Sequence, residues 1–233
     1  MPLHRNDFVL YNALDIESDS EPVEGLSPRE IAAFKTIVEW TRAFLCQPHS
    51  DLGREGPVCP FAQPSLNQSH YWLASYQGER IDLERAAKTI ELYRDWFFEI
   101  EPTSGPQSIL KTIVIVFPDL SHEDARLQIE VLHNRLKPDF VRRGIMLGQF
   151  YQGCLETSVW NDHFYVLESP LPLLVLRSMV PSDFPFLHGD RGNGKMLIAY
   201  LNRFGNHIPI DVKRLLVEAL ETSDLTLRGG GSK

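Results

Sequence analysis

Two side chains in this sequence have the chemistry and the placement to bind a metal ion. The first is His133, which shares a helical face with four apolar residues, Ala125, Ile129, Leu132 and Leu136. We therefore expect its imidazole to point into the interior. A neutral imidazole in an apolar pocket suits an axial ligand of a cofactor iron. The alternative is a core histidine that hydrogen-bonds to the backbone.

The second candidate is Cys59, in the segment GREGPVCPF at residues 53–61. The glycines and prolines of this segment predict a rigid, irregular backbone that places Cys59 directly before Pro60. A thiolate in this setting can ligate haem iron, because proline removes a competing backbone donor and turns the chain. A small buried apolar residue in a structured loop is the alternative.

Two arginines are candidates for holding the carboxylates of a cofactor or a substrate. Arg177 ends the apolar run PLPLLVLR, and Arg142 follows a predicted helix. The planar guanidinium is a natural partner for haem propionates or for the carboxylate of an amino acid. A structural salt bridge is the alternative role for each of them.

Other metal and nucleotide motifs are incomplete. Asp162 and His163 could belong to a histidine–carboxylate triad for non-haem iron, with a simple capped loop as the alternative. Residues 188–197 carry most of a phosphate-loop pattern, but a methionine replaces the Ser or Thr that would hold Mg²⁺. We expect a turn there, followed by a helix that starts at Asn193 or Gly194.

Composition restricts the class of protein. The chain has 233 residues, of which 43% are hydrophobic and 23% charged, with a net charge of −8. A scattered acidic charge argues against nucleic-acid binding, and the sequence shows neither a signal peptide nor an apolar run long enough for a bilayer. The three cysteines have no C-x-x-C spacing, which is typical of free thiols in a reducing compartment. We therefore expect a soluble cytoplasmic protein.

The elements that must position these residues can be outlined from caps and periodicity. Ser27 and Glu30 predict a capping box at the start of one helix, and Ser121 predicts the start of the helix that carries His133 and ends before Pro138. Strand-like segments are HYWLASYQ, ILKTIVIVFP, GIMLGQFY, HFYVLES and PLLVLRSM, and the last two predicted helices are KMLIAYLNRF and DVKRLLVEAL. This order predicts an α+β fold with a single domain and a mostly antiparallel sheet covered by helices.

The predicted domain organisation has three parts. Residues 1–26 form an acidic N-terminal arm, residues 27–222 form the single α+β domain, and residues 223–233 form a flexible C-terminal tail.

The stretch from Cys59 to Leu136 resembles the YqcI/YcgG-type family of bacterial proteins. The similar motifs are CPFAQPSLNQSHYWLAS, IELYRDW, KTIVIVF and VLHNRL. That family includes haem-dependent amino-acid N-hydroxylases, so the resemblance implies a haem cofactor and singles out Cys59 and His133. An arginine-rich segment of the family is reduced here to VLRSMV, which retains only Arg177.

The chain is also similar to a second, little-characterised bacterial group that carries GPVCPF, LGQF and SPLPLLVLR-like segments. That group is associated with natural-product gene clusters, so this similarity implies a role in secondary metabolism.

The predicted function is a haem-dependent monooxygenase that oxidises an amine nitrogen of an amino-acid-like substrate. His133 would be the proximal ligand, Arg177 and Arg142 would hold carboxylates, and the loop around Cys59 would form one pocket wall. The expected partners are a small-molecule substrate such as an amino acid, an electron donor and a second copy of the chain in a homodimer. The alternatives are a non-haem iron oxygenase and a non-enzymatic partner-binding or ligand-binding module.

Overall fold

A computed structural model of the protein describes residues 2–18, 23–187 and 192–206. Its residue contacts define two compact units. The first contains Met1–Lys137 and Met146–Ser178, and the second contains Pro138–Ile145 and Met179–Lys233.

The first unit is built on a sheet that has six strands in the described part of the chain, in the order β1-β2-β3-β4-β6-β5. The strands are β1 (Leu3–Arg5), β2 (Phe8–Asn12), β3 (Tyr71–Ser75), β4 (Thr112–Val116), β5 (Ile145–Phe150) and β6 (Leu173–Ser178). The β1–β2, β2–β3 and β4–β6 pairs are antiparallel, and β3 and β4 are parallel. The predicted α+β class with a mostly antiparallel sheet is therefore confirmed.

The helices of the described residues are α1 (Ala13–Glu17), α2 (Pro28–Trp40), α3 (Ala62–Asn67), α4 (Leu83–Phe97), α5 (His122–Arg142) and α6 (Gly194–Phe204). Most of the helices begin at residues whose side chains cap them, and α3, which follows Phe61, is an exception. The predicted Ser27–Glu30 capping box is present at α2, and Asn193 caps α6 by accepting two backbone N–H groups. The last turn of α2 continues into a π-helical turn at Thr41–Leu45.

Helices cover the sheet on both faces. On one face, Tyr71, Leu73, Val114, Val116 and Leu173 share a buried core with residues of α1, α2 and α3. Ile113 and Ile115 are fully buried on the other face, because successive strand residues point to opposite sides. Lys111 has the same orientation as Ile113, and its ammonium group lies 4.7 Å from the ring centre of Phe97 in α4. The second face is therefore the α4 face, and β4 is buried on both sides.

The N-terminal residues differ from the sequence prediction. The sequence predicts an acidic arm over residues 1–26, whereas the structure has β1, β2 and α1 within that range. The reason is the short apolar, strand-favouring run in FVLYN, where Leu10 is fully buried although the segment that follows it is acidic. The predicted limits of the domain and of the C-terminal tail remain predictions.

Two further elements also differ from prediction. HFYVLES was predicted as a strand, but the structure has an irregular segment there, with one isolated bridge between Thr157 and Tyr165. Helix α5 runs through Pro138 to Arg142 instead of ending before the proline. A proline inside a helix removes one hydrogen bond, and the buried Phe140 and Val141 beyond it favour continuation. The predicted helix DVKRLLVEAL lies outside the described residues.

The second unit contains α6 and a 3₁₀ segment at Pro181–Phe186. The Tyr200 hydroxyl of α6 donates a 2.5 Å hydrogen bond to the Pro181 carbonyl oxygen. Within the ranges described above, no helix has both the length and the apolar character needed to cross a membrane.

Candidate functional site

Cys59 lies on a short antiparallel pairing that follows α2. The Cys59 N–H donates to the Leu45 carbonyl oxygen at 2.8 Å, and the Val58 N–H donates to the Gln47 carbonyl oxygen at 2.9 Å. Pro48 and Pro57 form an isolated antiparallel bridge next to these bonds. The Gly/Pro-rich segment, residues 47–61, is hereafter called the Cys59 loop.

The Cys59 loop is held in place by a second irregular segment of the first unit. The Ser158 hydroxyl donates to the Leu52 carbonyl oxygen at 2.9 Å, and the Asn161 side-chain amide donates to the Asp51 carbonyl oxygen at 2.6 Å. Gly53 has φ +82°, and a Cβ atom on it would lie 2.5 Å from the Trp160 carbonyl oxygen. Glycine is therefore required at this close approach of two backbones.

The structure places one predicted site residue, Arg177, near the segment that carries another, Cys59. The guanidinium carbon of Arg177 lies 5.4 Å from the ring centre of Phe61, which is two residues after Cys59. Arg177 is on β6 and is the register partner of Thr112 on β4. It therefore reaches the Cys59 loop from the sheet, although the two residues are far apart in sequence.

Buried hydroxyl groups lie beside this cluster. The Thr41 and Tyr71 hydroxyl oxygens are 3.0 Å apart, and the Ser65 hydroxyl donates to the Thr112 hydroxyl oxygen at 3.3 Å. Thr41 belongs to the π-helical turn and is fully buried. Tyr71 and Thr112 are register partners on the parallel strands, so these hydroxyls lie in a row at the start of β3 and β4.

Two ionisable groups beside this cluster, the Tyr71 hydroxyl and the Cys46 thiol, remain neutral near pH 7. Burial raises the pKa of the Tyr71 hydroxyl, and the nearby Cys59 and Cys46 add to this shift, while the Thr41 hydrogen bond opposes it. Burial also raises the pKa of the Cys46 thiol to about 11, with a further contribution from Cys59. The Tyr71 hydroxyl therefore keeps its proton and can donate a hydrogen bond.

His133 points inward as predicted, but it lies away from Cys59. Its Nε2 donates a 3.0 Å hydrogen bond to the Leu147 carbonyl oxygen of β5. Its helix α5 is joined to α4 by the Arg135–Glu84 ion pair, which places it with the helix of the α4 face. Cys59 and Arg177 lie with α2 and α3 on the opposite face, so His133 and Cys59 cannot ligate the same iron.

The His133 ring is neutral, as a metal-binding imidazole must be, but it is buried and a metal ion cannot reach it. Burial lowers its pKa to about 4, with a further contribution from Lys137, so the ring is neutral at pH 7. Nδ1 is buried and has no partner in hydrogen-bonding geometry among the described residues, although the Asn134 side chain lies near the ring. An iron ion could reach Nδ1 only if the packing around the ring opened.

The remaining predicted residues do not join either cluster. Arg142 is the last residue of α5 and forms an ion pair with Asp139, one turn earlier in the second unit. Asp162 and His163 are exposed, and the His163 N–H donates to the Asn161 side-chain oxygen at 3.0 Å in a local turn. Among residues 2–18, 23–187 and 192–206, no three His, Cys, Asp or Glu side chains are grouped so that they could hold a metal ion.

A polar crevice that sequence reasoning missed lies at the carboxyl ends of β3 and β4. It has a volume of about 610 Å³ and is lined by Glu79, Arg80, Asp119, Ser121 and Asp124. Asp119 is oriented by the Gly78 N–H at 2.9 Å and by Arg29 at 3.0 Å. Parallel strands joined by a helix place both carboxyl ends at one edge, where ligands commonly bind. The strand–helix–strand order was the signal that could have predicted it.

Comparison with known proteins gives a family match without an assigned activity. A family described as a domain of unknown function, DUF6875, matches residues 34–215. Cys59, His133, Arg142 and Arg177 all lie within the matched range. No curated protein and no solved structure gives a significant match.

Proposed function

The chain belongs to the DUF6875 family, and we propose from its own geometry that it is a haem-dependent monooxygenase with Cys59 as the iron ligand. The observation that supports this most directly is the approach of Arg177 to Phe61, at the end of the loop that carries Cys59. The proposal differs from the sequence prediction in the ligand, because His133 is closed off on the other face of the sheet.

The residues of this cluster fit a haem group in their donor chemistry. A cysteine thiolate is an established axial ligand of haem iron, and an arginine beside it can hold a propionate. The Phe61 ring adds an apolar surface of the kind that a flat macrocycle packs against. When bound, haem would supply the activation of dioxygen for transfer to the substrate.

Two residues near Cys59 would have supporting roles. Cys46 and Tyr71 would both remain uncharged, and Tyr71 would orient the bound substrate. Cys46 remains a thiol, because burial raises its pKa to about 11, and it adds no second negative charge beside Cys59. The Tyr71 hydroxyl, held 3.0 Å from Thr41, is buried and stays protonated. It is a fixed hydrogen-bond donor of the kind that can position a polar substrate atom.

The proposed substrate is a small amino-acid-like molecule whose amine nitrogen is oxidised. Its carboxylate would pair with a guanidinium in the manner of a bidentate clamp. The proposal also includes an external electron donor, a cytoplasmic location and a role in natural-product biosynthesis.

The proposal is tested by haemin titration followed by spectra of the reduced, carbon monoxide-bound form. Thiolate ligation predicts a band at about 450 nm, and imidazole ligation a band at about 420 nm. We expect Cys59→Ser to abolish the first band, while His133→Gln leaves it unchanged. Cys154→Ser is the matched control, because Cys154 is 1% exposed and lies elsewhere in the unit. An unchanged spectrum in Cys59→Ser, or no stoichiometric haem in the wild type, would overturn the proposal.

A second candidate function, a ligand-binding module, is favoured by the crevice at the carboxyl ends of β3 and β4. Three carboxylates and one arginine line it, which suits a cationic or zwitterionic ligand. It lies at the other end of the strands from Tyr71 and Thr112, about 16 Å away for a five-residue strand. One small molecule could not contact both places.

Calorimetric titration with L-arginine separates the two functions. A ligand-binding module predicts binding to haem-free protein that is weakened by Glu79→Gln and unaffected by the exposed-residue control Glu39→Gln. Equal heats for both variants would argue against binding in the crevice.

A further inference from the structure

We propose that Cys46 and Cys59 are a modification site, a pair of thiols that forms a reversible disulfide when it meets a low-molecular-weight disulfide such as oxidised glutathione. The pair is defined by the geometry of the haem-free protein, so this proposal does not depend on the proposed haem site.

The backbone around the Pro48–Pro57 bridge brings the two cysteines close together. Pro48 is the bridge partner of Pro57, and the Val58 N–H bonds to the Gln47 carbonyl oxygen. Cys46 follows Leu45 directly, and both cysteines pack against the apolar cluster that contains Leu45 and Val58. The Cys59 N–H bond to Leu45 at 2.8 Å holds this end of the pairing closed.

This spacing is compatible with a disulfide. Standard bond lengths and the 2.8 Å hydrogen bond from Cys59 N–H to Leu45 keep the Cα atoms of Cys46 and Cys59 within about 6.5 Å of each other. Disulfides have Cβ atoms about 3.5–4.5 Å apart and Cα atoms about 4.4–6.8 Å apart. The Cα separation of the pair therefore lies within the disulfide range, and a bond needs no rearrangement of the sheet.

Electrostatics agree with this placement. The negative charge of Cys59 is one of the causes that raise the pKa of Cys46, and both thiols raise the pKa of Tyr71. The two sulfur atoms are therefore close enough to each other, and to the Tyr71 hydroxyl, for their charges to interact.

Solvent exposure distinguishes Cys46 and Cys59 from the third cysteine, Cys154. Cys46 and Cys59 are both partly exposed, whereas Cys154 is buried. All three are free thiols in the structure. A soluble oxidant can therefore reach the pair, and Cys154 provides an internal control of the same residue type.

The reaction balances as two thiol–disulfide exchanges. The Cys59 thiolate attacks one sulfur of oxidised glutathione, which forms a mixed disulfide and releases one glutathione thiolate. Cys46 then loses its proton to solvent and attacks the Cys59 sulfur, which releases the second glutathione. The protein loses two electrons and two protons, and glutathione disulfide gains them.

The test is peptide mapping of haem-free protein equilibrated in glutathione buffers over a range of redox potentials. Trypsin cleaves after Arg42, Arg54, Arg80, Arg143 and Arg177, so the three cysteines fall in separate peptides, 43–54, 55–80 and 144–177. After the free thiols are alkylated, we expect peptides 43–54 and 55–80 to become linked with the loss of two hydrogens. Peptide 144–177 should remain alkylated throughout.

Three variants decide between the possible outcomes. Cys46→Ser should stop at a mixed disulfide of Cys59 with glutathione, and Cys59→Ser should give no linked peptides. Cys154→Ser should behave as the wild type. Alkylated, unlinked peptides 43–54 and 55–80 in the most oxidising buffer would overturn the proposal, as would links that form only between chains. Because no haem is present, failure here is separate from failure of the 450 nm band.

Discussion

Nε2 of His133 donates a hydrogen bond to the backbone carbonyl oxygen of Leu147 at 3.0 Å, and this bond fixes the tautomer of a buried imidazole. Because a carbonyl oxygen can only accept, the proton is on Nε2 and the lone pair is on Nδ1. Burial of the ring outweighs the opposing effect of this hydrogen bond, so the folded protein prefers the neutral ring and the pKa of His133 is lowered to about 4.

This preference predicts a loss of stability in mild acid. In the unfolded chain the ring takes up a proton near pH 6.5, whereas in the folded chain it does so only near pH 4. The contribution of the neutral ring to the free energy of unfolding is fully present above about pH 6.5. It falls by up to about 3 kcal/mol as the pH is lowered towards 4. The free energy of unfolding, measured by urea titration at pH 7 and pH 4.5, checks this.

The control for this prediction is His133→Gln, whose amide can still donate to Leu147. The difference in unfolding free energy between the two pH values should shrink in this variant. An equal difference in both proteins would mean that carboxylates alone cause the acid sensitivity.

Glu30 should be among the most important polar side chains for stability. Its carboxylate accepts hydrogen bonds from Ser27, Ser75 and Gln77. Burial raises its pKa, but these hydrogen bonds outweigh that effect and lower it. Glu30→Ala leaves several donors unpaired, and we expect it to cost about 2–4 kcal/mol in unfolding free energy.

The matched control is Glu39→Ala, on the exposed side of the same helix. That change should stay within about 0.5 kcal/mol of the wild type. Similar costs for both substitutions would show that the Glu30 hydrogen bonds add nothing beyond helix propensity.

Gly53→Ala should loosen the Cys59 loop. Gly53 and Gly105 have almost the same φ, +82° and +80°, but only Gly53 lies against another backbone, that of Trp160. Alanine at either position bears the cost of positive φ, and only at Gly53 does it also clash. We expect Gly53→Ala to be about 1–3 kcal/mol more destabilising than Gly105→Ala in thermal unfolding. Equal melting temperatures would contradict the close packing of these segments.

Tyr151→Phe tests a second buried hydrogen bond. The Tyr151 hydroxyl donates to the Glu130 carboxylate, and the residue is 2% exposed. Removal of the hydroxyl should cost about 1–2 kcal/mol, because a hydrogen bond to a charged group is lost. Tyr165→Phe is the comparison, since Tyr165 is 46% exposed, and its unfolding free energy should be unchanged.

The elements that sequence reasoning predicted well are those with local signals. The Ser27–Glu30 capping box, the Asn193 cap and the β-branched run of β4 specify their structures through nearest neighbours, and all three are present. Residues 3–12 carry a weaker signal, because β2 is stabilised by pairing with β3, which lies far along the chain. Nothing local in FVLYN reveals that partner.

The residues of the candidate site show the same difference between features with local sequence signals and features that depend on distant parts of the chain. The inward orientation of His133 followed from helical periodicity, and it is confirmed. The approach of Arg177 to Phe61 depends on the register of β6 against β4, which no short window contains. The crevice at Glu79 and Asp119 depends on β3 and β4 being parallel neighbours, which is a property of topology.

The N-terminal hairpin has a practical consequence for producing this protein. The family match begins at residue 34, so a fragment trimmed to that boundary would lack β1 and β2. The apolar strand β3 would then present a free row of N–H and C=O groups, which promotes aggregation through edge-to-edge pairing. Residues 3–12, which look dispensable by composition, are expected to keep the protein monodisperse during expression.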